Sequence, residues 1–299
     1  MLSIKKTNII PVTTFILSAL IGIVGIANFN TSHNTKPAVI FDMDGVLFKT
    51  SKMGAFKKLG TMSIISYAIG GNSPTELHTI AFDILFKLRN EKPEDFNNKF
   101  WPTYNGKPLP SIMCDWQQGT IKPDAVLKQV LPYVEKLAGE NYFSSDKEKQ
   151  LIVNMFDIMF NPETRSTITK PLSEGIRILE ECKKAGYRVY VLSNMDTESM
   201  ELLQSNYPEI FNQLDGMVYS ADVKNIKPYN QIYFNLIQKY GLPVDNCIFL
   251  DNQQENVDAA EKLGIKSMLC TKDSMKTLAK LMHKNTDEIT PKQLIAQAA

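Results

Sequence analysis

Charge imbalance is missing from this 299-residue chain: 33 Lys and Arg stand against 32 Asp and Glu, a formal net charge of +1. No overall basic field draws the protein to nucleic acid, and there is no acidic, solvating tail. Cysteine is scarce too. Cys114, Cys182, Cys247 and Cys270 are too few and too scattered for a disulfide scaffold, and no two stand at the short spacing of a zinc knuckle. The three histidines, His33, His78 and His283, show no metal-ligand spacing. Internal repeats are absent. What is present is 43% apolar and 9% aromatic residues, ample for a large core, over a length that suits one large domain or two ordinary ones. Disordered, collagen-like and low-complexity classes are excluded on that ground.

Charge is also missing from residues 9–27. Lys5 and Lys6 precede this stretch, whose densest part is FILSALIGIVGIA at 15–27. A basic head, a short apolar run and small residues at Gly25 and Ala27 predict a secretory signal peptide cut after Ala27. About 20 uncharged residues also suffice for an uncleaved membrane anchor. Either form, with Lys5 and Lys6 held inside, places the remainder on the periplasmic or secreted side. A buried helix is the plain alternative, disfavoured by the polar residues that follow at 28–36. Contact with a membrane is expected only through this segment.

The most informative stretch follows. Ala38-Val39-Ile40-Phe41 is a continuous apolar run behind Pro37 and reads as a buried parallel strand. It ends in Asp42-Met43-Asp44-Gly45-Val46. Two carboxylates two residues apart, just past a central strand, stand where open α/β sheets place ligands. Adjacent anions in a confined site repel, so the arrangement implies a compensating cation, and Mg²⁺ is the natural oxygen-seeking candidate. A surface turn with helix-capping aspartates is the plain alternative.

From Pro171 onward, helix and strand patterns alternate. Helices are predicted over 172–185, 198–205, 230–240 and 255–263, and strands over 187–192, 216–219, 247–250 and 265–270. The fold class is therefore α/β, a doubly wound (Rossmann-like) parallel sheet. Three predicted strand ends carry polar groups: Asp42/Asp44, Ser193/Asn194 and Asp251/Asn252. In a parallel sheet these ends share one edge. Capping of the next helix accounts for each pair singly, though less readily for all three.

In four ordered motifs, FDMDGV at 41–46, VLSN at 191–194, IKP at 226–228 and FLDNQQENVDAA at 249–260, the sequence resembles the haloacid dehalogenase superfamily, in its capped, Mg²⁺-dependent phosphatase branch. The resemblance implies that Asp42 is a nucleophile forming an aspartyl-phosphate, and that Asp44 is general acid and then general base. It implies that Ser193 and Asn194 bind the phosphoryl group and that Lys227 neutralises nucleophile and phosphoryl oxygens. Mg²⁺ would lie among Asp42, the Asp44 backbone carbonyl, Asp251 and Asn252. Without the resemblance Lys227 reads as an ordinary solvated lysine. Asp44 points to phosphoryl transfer, because dehalogenases expel a halide that needs no proton. One position departs from the pattern: Asn252 stands where relatives often carry a second acid that ligates Mg²⁺. An amide oxygen ligates without charge, so weaker metal binding is expected, with Asp251 as candidate substitute.

The expected organisation is a signal or anchor at 1–27, an α/β core at 37–46 and 167–285, an inserted mainly α-helical cap at 47–166, and a tail at 286–299. Helical spacing of apolar residues marks 80–88 and 151–160, and a loop is expected at 97–110. The stretch Cys114-Asp115-Trp116-Gln117-Gln118-Gly119 resembles a W-x-x-G turn of some caps. Trp101, Trp116 and Phe160 are read as core aromatics, with a substrate pocket as the alternative. The expected activity is phosphatase action on a small-molecule phosphate ester. A phosphomutase of the same superfamily and a non-catalytic binding protein, the latter favoured by Asn252, are the alternatives. Neither the oligomeric state nor one particular substrate is marked in the sequence.

Overall fold

The computed structural model describes residues 37–96, 101–104 and 106–284. The expected export segment and the C-terminal tail lie outside them. Among the described residues no helix is long and apolar enough to cross a membrane.

Nine strands occur among the described residues: β1 (Ala38–Phe41), β2 (Phe48–Thr50), β3 (Thr103–Tyr104), β4 (Lys107–Pro108), β5 (Thr169–Pro171), β6 (Arg188–Ser193), β7 (Gly216–Tyr219), β8 (Cys247–Asp251) and β9 (Lys266–Leu269). Five form one parallel sheet in the order β7-β6-β1-β8-β9. From β1 the chain winds outward through β6 and β7, then crosses back to β8 and winds outward to β9. The reversal falls between β1 and β8, and the crevice at their carboxyl ends is where such sheets bind ligands.

The continuous apolar run of β1 is explained by burial on both faces. Val39 and Phe41 pack on one side with Ile178, Leu179 and Met200, while Ala38 and Ile40 pack on the other with Ile232, Leu236 and Ala260. The helices Ser173–Lys184 and Thr197–Asn206 supply the first layer, and Asn230–Tyr240 and Gln254–Lys262 the second. The sheet is doubly wound, as the alternating pattern predicts, with element ends within a residue or two of those expected.

Between β1 and β6 the chain leaves through β2 and returns through β5, which pair antiparallel from Phe48↔Pro171 to Thr50↔Thr169. The insertion between them is mostly helical. In Pro123–Gly139, Val126, Val130, Val134 and Leu137 recur at helical spacing and are all buried. In Asp146–Phe160, which Ser145 caps by accepting from the Glu148 N–H, the buried stripe is Leu151, Ile152, Phe156 and Phe160. The two helices share one apolar cluster with Leu77, Ile84, Ile112 and Trp116. The expected loop at 97–110 contains a correction: β3 and β4 form a small antiparallel hairpin. Strands of two residues show no alternation to read. Hydrogen bonds across the segment hold it: Trp101 Nε1 donates to the Leu109 carbonyl at 2.8 Å, and the Leu109 N–H to that of Pro102 at 3.0 Å.

Candidate active site

The ends of β1 and β8 place Asp42 and Asp251 side by side, and one ammonium lies between them. Lys227 Nζ donates to Asp42 Oδ1 at 2.7 Å and to Asp251 Oδ2 at 2.6 Å. Lys227 is only 2% exposed, so its reading as a solvated lysine is excluded. The end of β6 fixes the lysine's backbone: its N–H donates to Asn194 Oδ1 at 2.7 Å, and Asn194 Nδ2 donates back to the Lys227 carbonyl at 3.0 Å. Ser193 is buried beside it. Neither Ser193 nor Asn194 caps the following helix. Asp196 does so, accepting from the Ser199 N–H at 2.9 Å.

Two carboxylates sharing one ammonium leave an uncompensated negative charge in a buried place. Burial, reinforced by Asp251 and opposed by Lys227, pushes the Asp42 carboxyl up to about 7. Burial works against the charge of Lys227, yet the attraction of Asp251 and Asp42 prevails and raises it. Asp44 opens onto the cleft, where solvent reaches it, but the protein walling that cleft raises its carboxyl. Arg165 and Lys227 pull it the other way.

A tight turn aims Asp44. The Leu47 and Phe48 N–H groups both donate to the Met43 carbonyl, at 3.0 and 2.8 Å, and the Gly45 N–H donates to that of Phe48 at 2.7 Å. Gly45 has φ +82°, and a Cβ there would stand 2.2 Å from Asn252 Nδ2. Gly45→Ala is therefore expected to cost about 1–2 kcal/mol from backbone strain alone, with displacement of Asn252 added. Urea denaturation measures it, and a loss of only a few tenths would show that the turn relaxes freely.

Above these groups lies a cleft of about 330 Å³. Asp42, Asp44, Ser193, Asn194 and Lys227 all line it. Asp251 does not. It is fully buried beneath Lys227, its oxygens also accepting from the Gln253 N–H at 2.8 Å and from Asn256 Nδ2 at 3.1 Å. The candidate substitute for a metal-binding acid is thus held as a counterion of Lys227. Asn252 lies over Gly45, outside the cleft lining. Of the three aromatics considered for a pocket, only Trp116 lines the cleft. Phe160 packs edge-on against it at 5.1 Å between ring centroids, and Trp101 packs at a tilt on Phe96 at 4.4 Å.

Several cleft residues carry no signal in the sequence. Arg165, on the short helix Pro162–Ile168 before β5, stands 5.2 Å from the Trp116 ring centroid and acts electrostatically on Asp44. His78 packs 4.2 Å from Phe82. Gln253, Glu255 and Asn256 lie within the fourth motif, Gln253 as the N-cap of the helix Gln254–Lys262 and the other two in its first turn.

The stretch ending at Gly119 ties the insertion to the sheet domain. Ser220 Oγ donates to the Gln117 carbonyl, and Lys224 Nζ donates to the Gly119 carbonyl at 2.9 Å. Ser220 Oγ also accepts from the Met195 N–H at 2.8 Å, so one hydroxyl joins the roof of the cleft to the segment after β6.

A family model described as a haloacid dehalogenase-like hydrolase matches residues 36–264. The chain belongs to this family. Within it, a haloacid dehalogenase-like hydrolase domain-containing protein of Arabidopsis thaliana is 30% identical over 107 residues, covering 35% of this chain and 34% of its own. A sesquiterpene phosphatase of Aspergillus oryzae is 28% identical over 112 residues, covering 38% and 56%. The chain thus spans about a third to about half the length of these curated relatives. Among solved structures, a HAD family enzyme of Bacteroides thetaiotaomicron in complex with magnesium and inorganic phosphate has 15% identity over 79% of this chain and 94% of that one, at a TM-score of 0.47. An L-2-haloacid dehalogenase of Xanthobacter autotrophicus has 14% identity over 87% of each, at 0.45.

The donor set of this hydrolase fits a divalent cation of one kind. Among the described residues no group of three or more His, Cys, Asp or Glu is placed to hold a metal ion. What this edge of the sheet offers is the Asp42 carboxylate and the Asp44 carbonyl, with the amide of Asn252 beside Gly45 just past the end of β8. Asp42, raised to about 7, is short of positive charge. Mg²⁺ is commonly held by only one or two carboxylates, with waters and other oxygens completing its shell, so this sparse set fits it.

Proposed function

We propose that this hydrolase cleaves a small phosphate ester in a Mg²⁺-dependent reaction, carrying the phosphoryl group transiently on Asp42. The observation that carries the reading is Asp44, a second carboxyl with raised proton affinity facing the same cleft as Asp42. An alkoxide must be protonated as it leaves, whereas a halide is not, so an acid here favours esters over organohalides. The Aspergillus oryzae relative, named a phosphatase, supports the same side.

Asp42, the Asp44 carbonyl and Asn252 would hold Mg²⁺, which when bound supplies positive charge to the phosphoryl oxygens. In the first step an Asp42 oxygen bonds to phosphorus, the ester P–O bond breaks, and Asp44 gives its proton to the departing oxygen. In the second, Asp44, now a carboxylate, takes a proton from water as that water attacks phosphorus and the Asp42–phosphorus bond breaks. Lys227 offsets the charge of the nucleophile throughout, and Ser193 donates to a phosphoryl oxygen. Asp251 and Asn194 position Lys227. The insertion over the cleft shuts out bulk water and protein-sized esters. Export or anchoring through residues 9–27 puts the reaction outside the cytoplasmic membrane.

Asp44→Asn tests the assignment. Its loss is expected to reach about 10²–10⁴-fold on alkyl phosphates and to be smaller on aryl phosphates, whose leaving groups need less protonation. Equal losses on both would remove Asp44 as the acid. If the parent protein cleaves neither, the reaction is wrong, and the binding-protein reading that Asn252 favours gains. Asn252→Asp adds a second carboxylate to the set, so calorimetry should show Mg²⁺ bound tighter by on the order of tenfold or more. Unchanged affinity would exclude Asn252 as a ligand.

A further inference from the structure

The two halves of the cleft differ in chemistry, and the difference specifies the group attached to the phosphate. The half built on the sheet is polar and carries every acidic lining residue: Asp42, Asp44 and Glu255. The half built on the insertion presents Phe82, Leu109, Met113, Trp116, Ile158 and Met159. Four of these, Phe82, Leu109, Met113 and Trp116, are buried. Five of the six stand on three separate helices, Glu76–Leu88, Ser111–Gln117 and Asp146–Phe160, so the apolar wall is assembled in three dimensions rather than by one amphipathic stripe. Even the histidine here behaves as an apolar ring. His78 lies 4.2 Å from Phe82 and 5.4 Å from Tyr104, and burial, with Lys107 nearby, lowers its proton affinity.

We propose that the alcohol portion of the ester is apolar, an aliphatic or aromatic group with few hydroxyls, and that sugar and other polyol phosphates are rejected. The inference rests on the phosphatase reading above. A polyol entering this half loses water from each hydroxyl and finds few partners. The polar side chains the insertion contributes are Thr50, His78, Thr103, Tyr104, Gln117 and Arg165, and Arg165 is its one charged group in the lining. Thr103 Oγ1, Gln117 Oε1 and Trp116 Nε1 are themselves buried, without a hydrogen-bond partner among the described residues. Arg165 acts electrostatically on Asp44 and lies over the Trp116 ring at 5.2 Å from its centroid, a position suited to the phosphate end rather than to the far end of the ligand. An aliphatic or aromatic group gains burial against the same wall without such losses. Met113 and Met159 let that wall adapt to more than one shape. The volume of about 330 Å³ is at the lower end of small-ligand sites.

The test uses the full chain with Mg²⁺ and a series of straight-chain alkyl phosphates, beside glucose 6-phosphate and glycerol phosphate. The kcat/KM is expected to rise about fourfold per added methylene until the cleft is filled. Both polyol phosphates should fall at least about a hundredfold below octyl phosphate. In Met159→Gln the slope of the alkyl series should flatten. Calorimetry on the Asp42→Asn protein with octyl phosphate and with glucose 6-phosphate reads the preference without turnover, and octyl phosphate should bind tighter. Polyol phosphates cleaved as well as alkyl ones, or a flat alkyl series, would overturn the inference and leave the phosphatase reading standing. If no ester is cleaved, the phosphatase reading fails, and the calorimetric preference alone decides whether the cleft selects apolar groups.

Discussion

Lys227→Met is expected to remove about 3–5 kcal/mol of folding stability, as breaking a buried ion pair by deleting one partner generally does. The methionine fills nearly the same space, so packing changes little. What changes is charge. Asp42 and Asp251, 6% and 0% exposed, would face each other with no cation between them. Asp251 keeps its bonds from Gln253 and Asn256, so the burden falls on Asp42. For a domain of this size the loss corresponds to a melting temperature lower by roughly 6–20 °C. The sign of the pH dependence follows from Asp42. Its folded-state proton affinity lies above its ordinary value, so the stability it contributes is complete at low pH and declines as pH rises from 3.8 towards about 7. Removing Lys227 steepens that decline, and the mutant's deficit should be larger at pH 8 than at pH 5. Denaturant unfolding at the two pH values checks it. A deficit below about 1 kcal/mol at both would mean that the three groups are not coupled as the geometry implies.

Asp42→Asn is expected to have opposite effects on activity and on stability. Turnover of any phosphate ester should fall by about 10³-fold or more, because an amide is no nucleophile at phosphorus. Stability near pH 7–8, measured without divalent metal, should rise instead. The substitution deletes the surplus carboxylate and leaves Lys227 paired one-to-one with Asp251. A gain of about 1 kcal/mol, or roughly 2–4 °C in melting temperature, is the expected size. Metal should narrow the gap, since a cation bound at Asp42 offsets the same charge in the parent protein. A large loss of stability would show that Asp42 holds the lysine more than it is strained by it.

Much of this site is readable before any coordinates, and the reason is local. The run Ala38–Phe41 and the acids behind it obey the pattern of a two-sided strand with a ligand edge, and Asp42, Asp44, Ser193, Asn194 and Lys227 all line the cleft. Asp251 is ambiguous in the sequence because a strand-terminal aspartate reads equally as a cap or a metal ligand. Its burial beneath Lys227, as that lysine's counterion, has no signature in the sequence. Arg165 and His78 were silent. Neither stands in a motif, and each reaches the cleft because the insertion folds back over the sheet. The hairpin of β3 and β4 escaped for a similar reason, since hydrogen bonds from Trp101 and Leu109, not local periodicity, hold it. Trp101, Trp116 and Phe160 read as core aromatics and all three pack in or against the insertion's apolar cluster, while Trp116 also lines the cleft.

The central claim is that a phosphoryl group passes through Asp42, and acid quenching during turnover of octyl phosphate with Mg²⁺, followed by peptide mass spectrometry, tests it most directly. One phosphoryl group should appear on the peptide carrying Asp42. It should accumulate further in Asp44→Asn, where the base that releases it is missing, and vanish in Asp42→Asn. A phosphoryl group on another residue, or product formed by Asp42→Asn at the parent rate, would contradict the account.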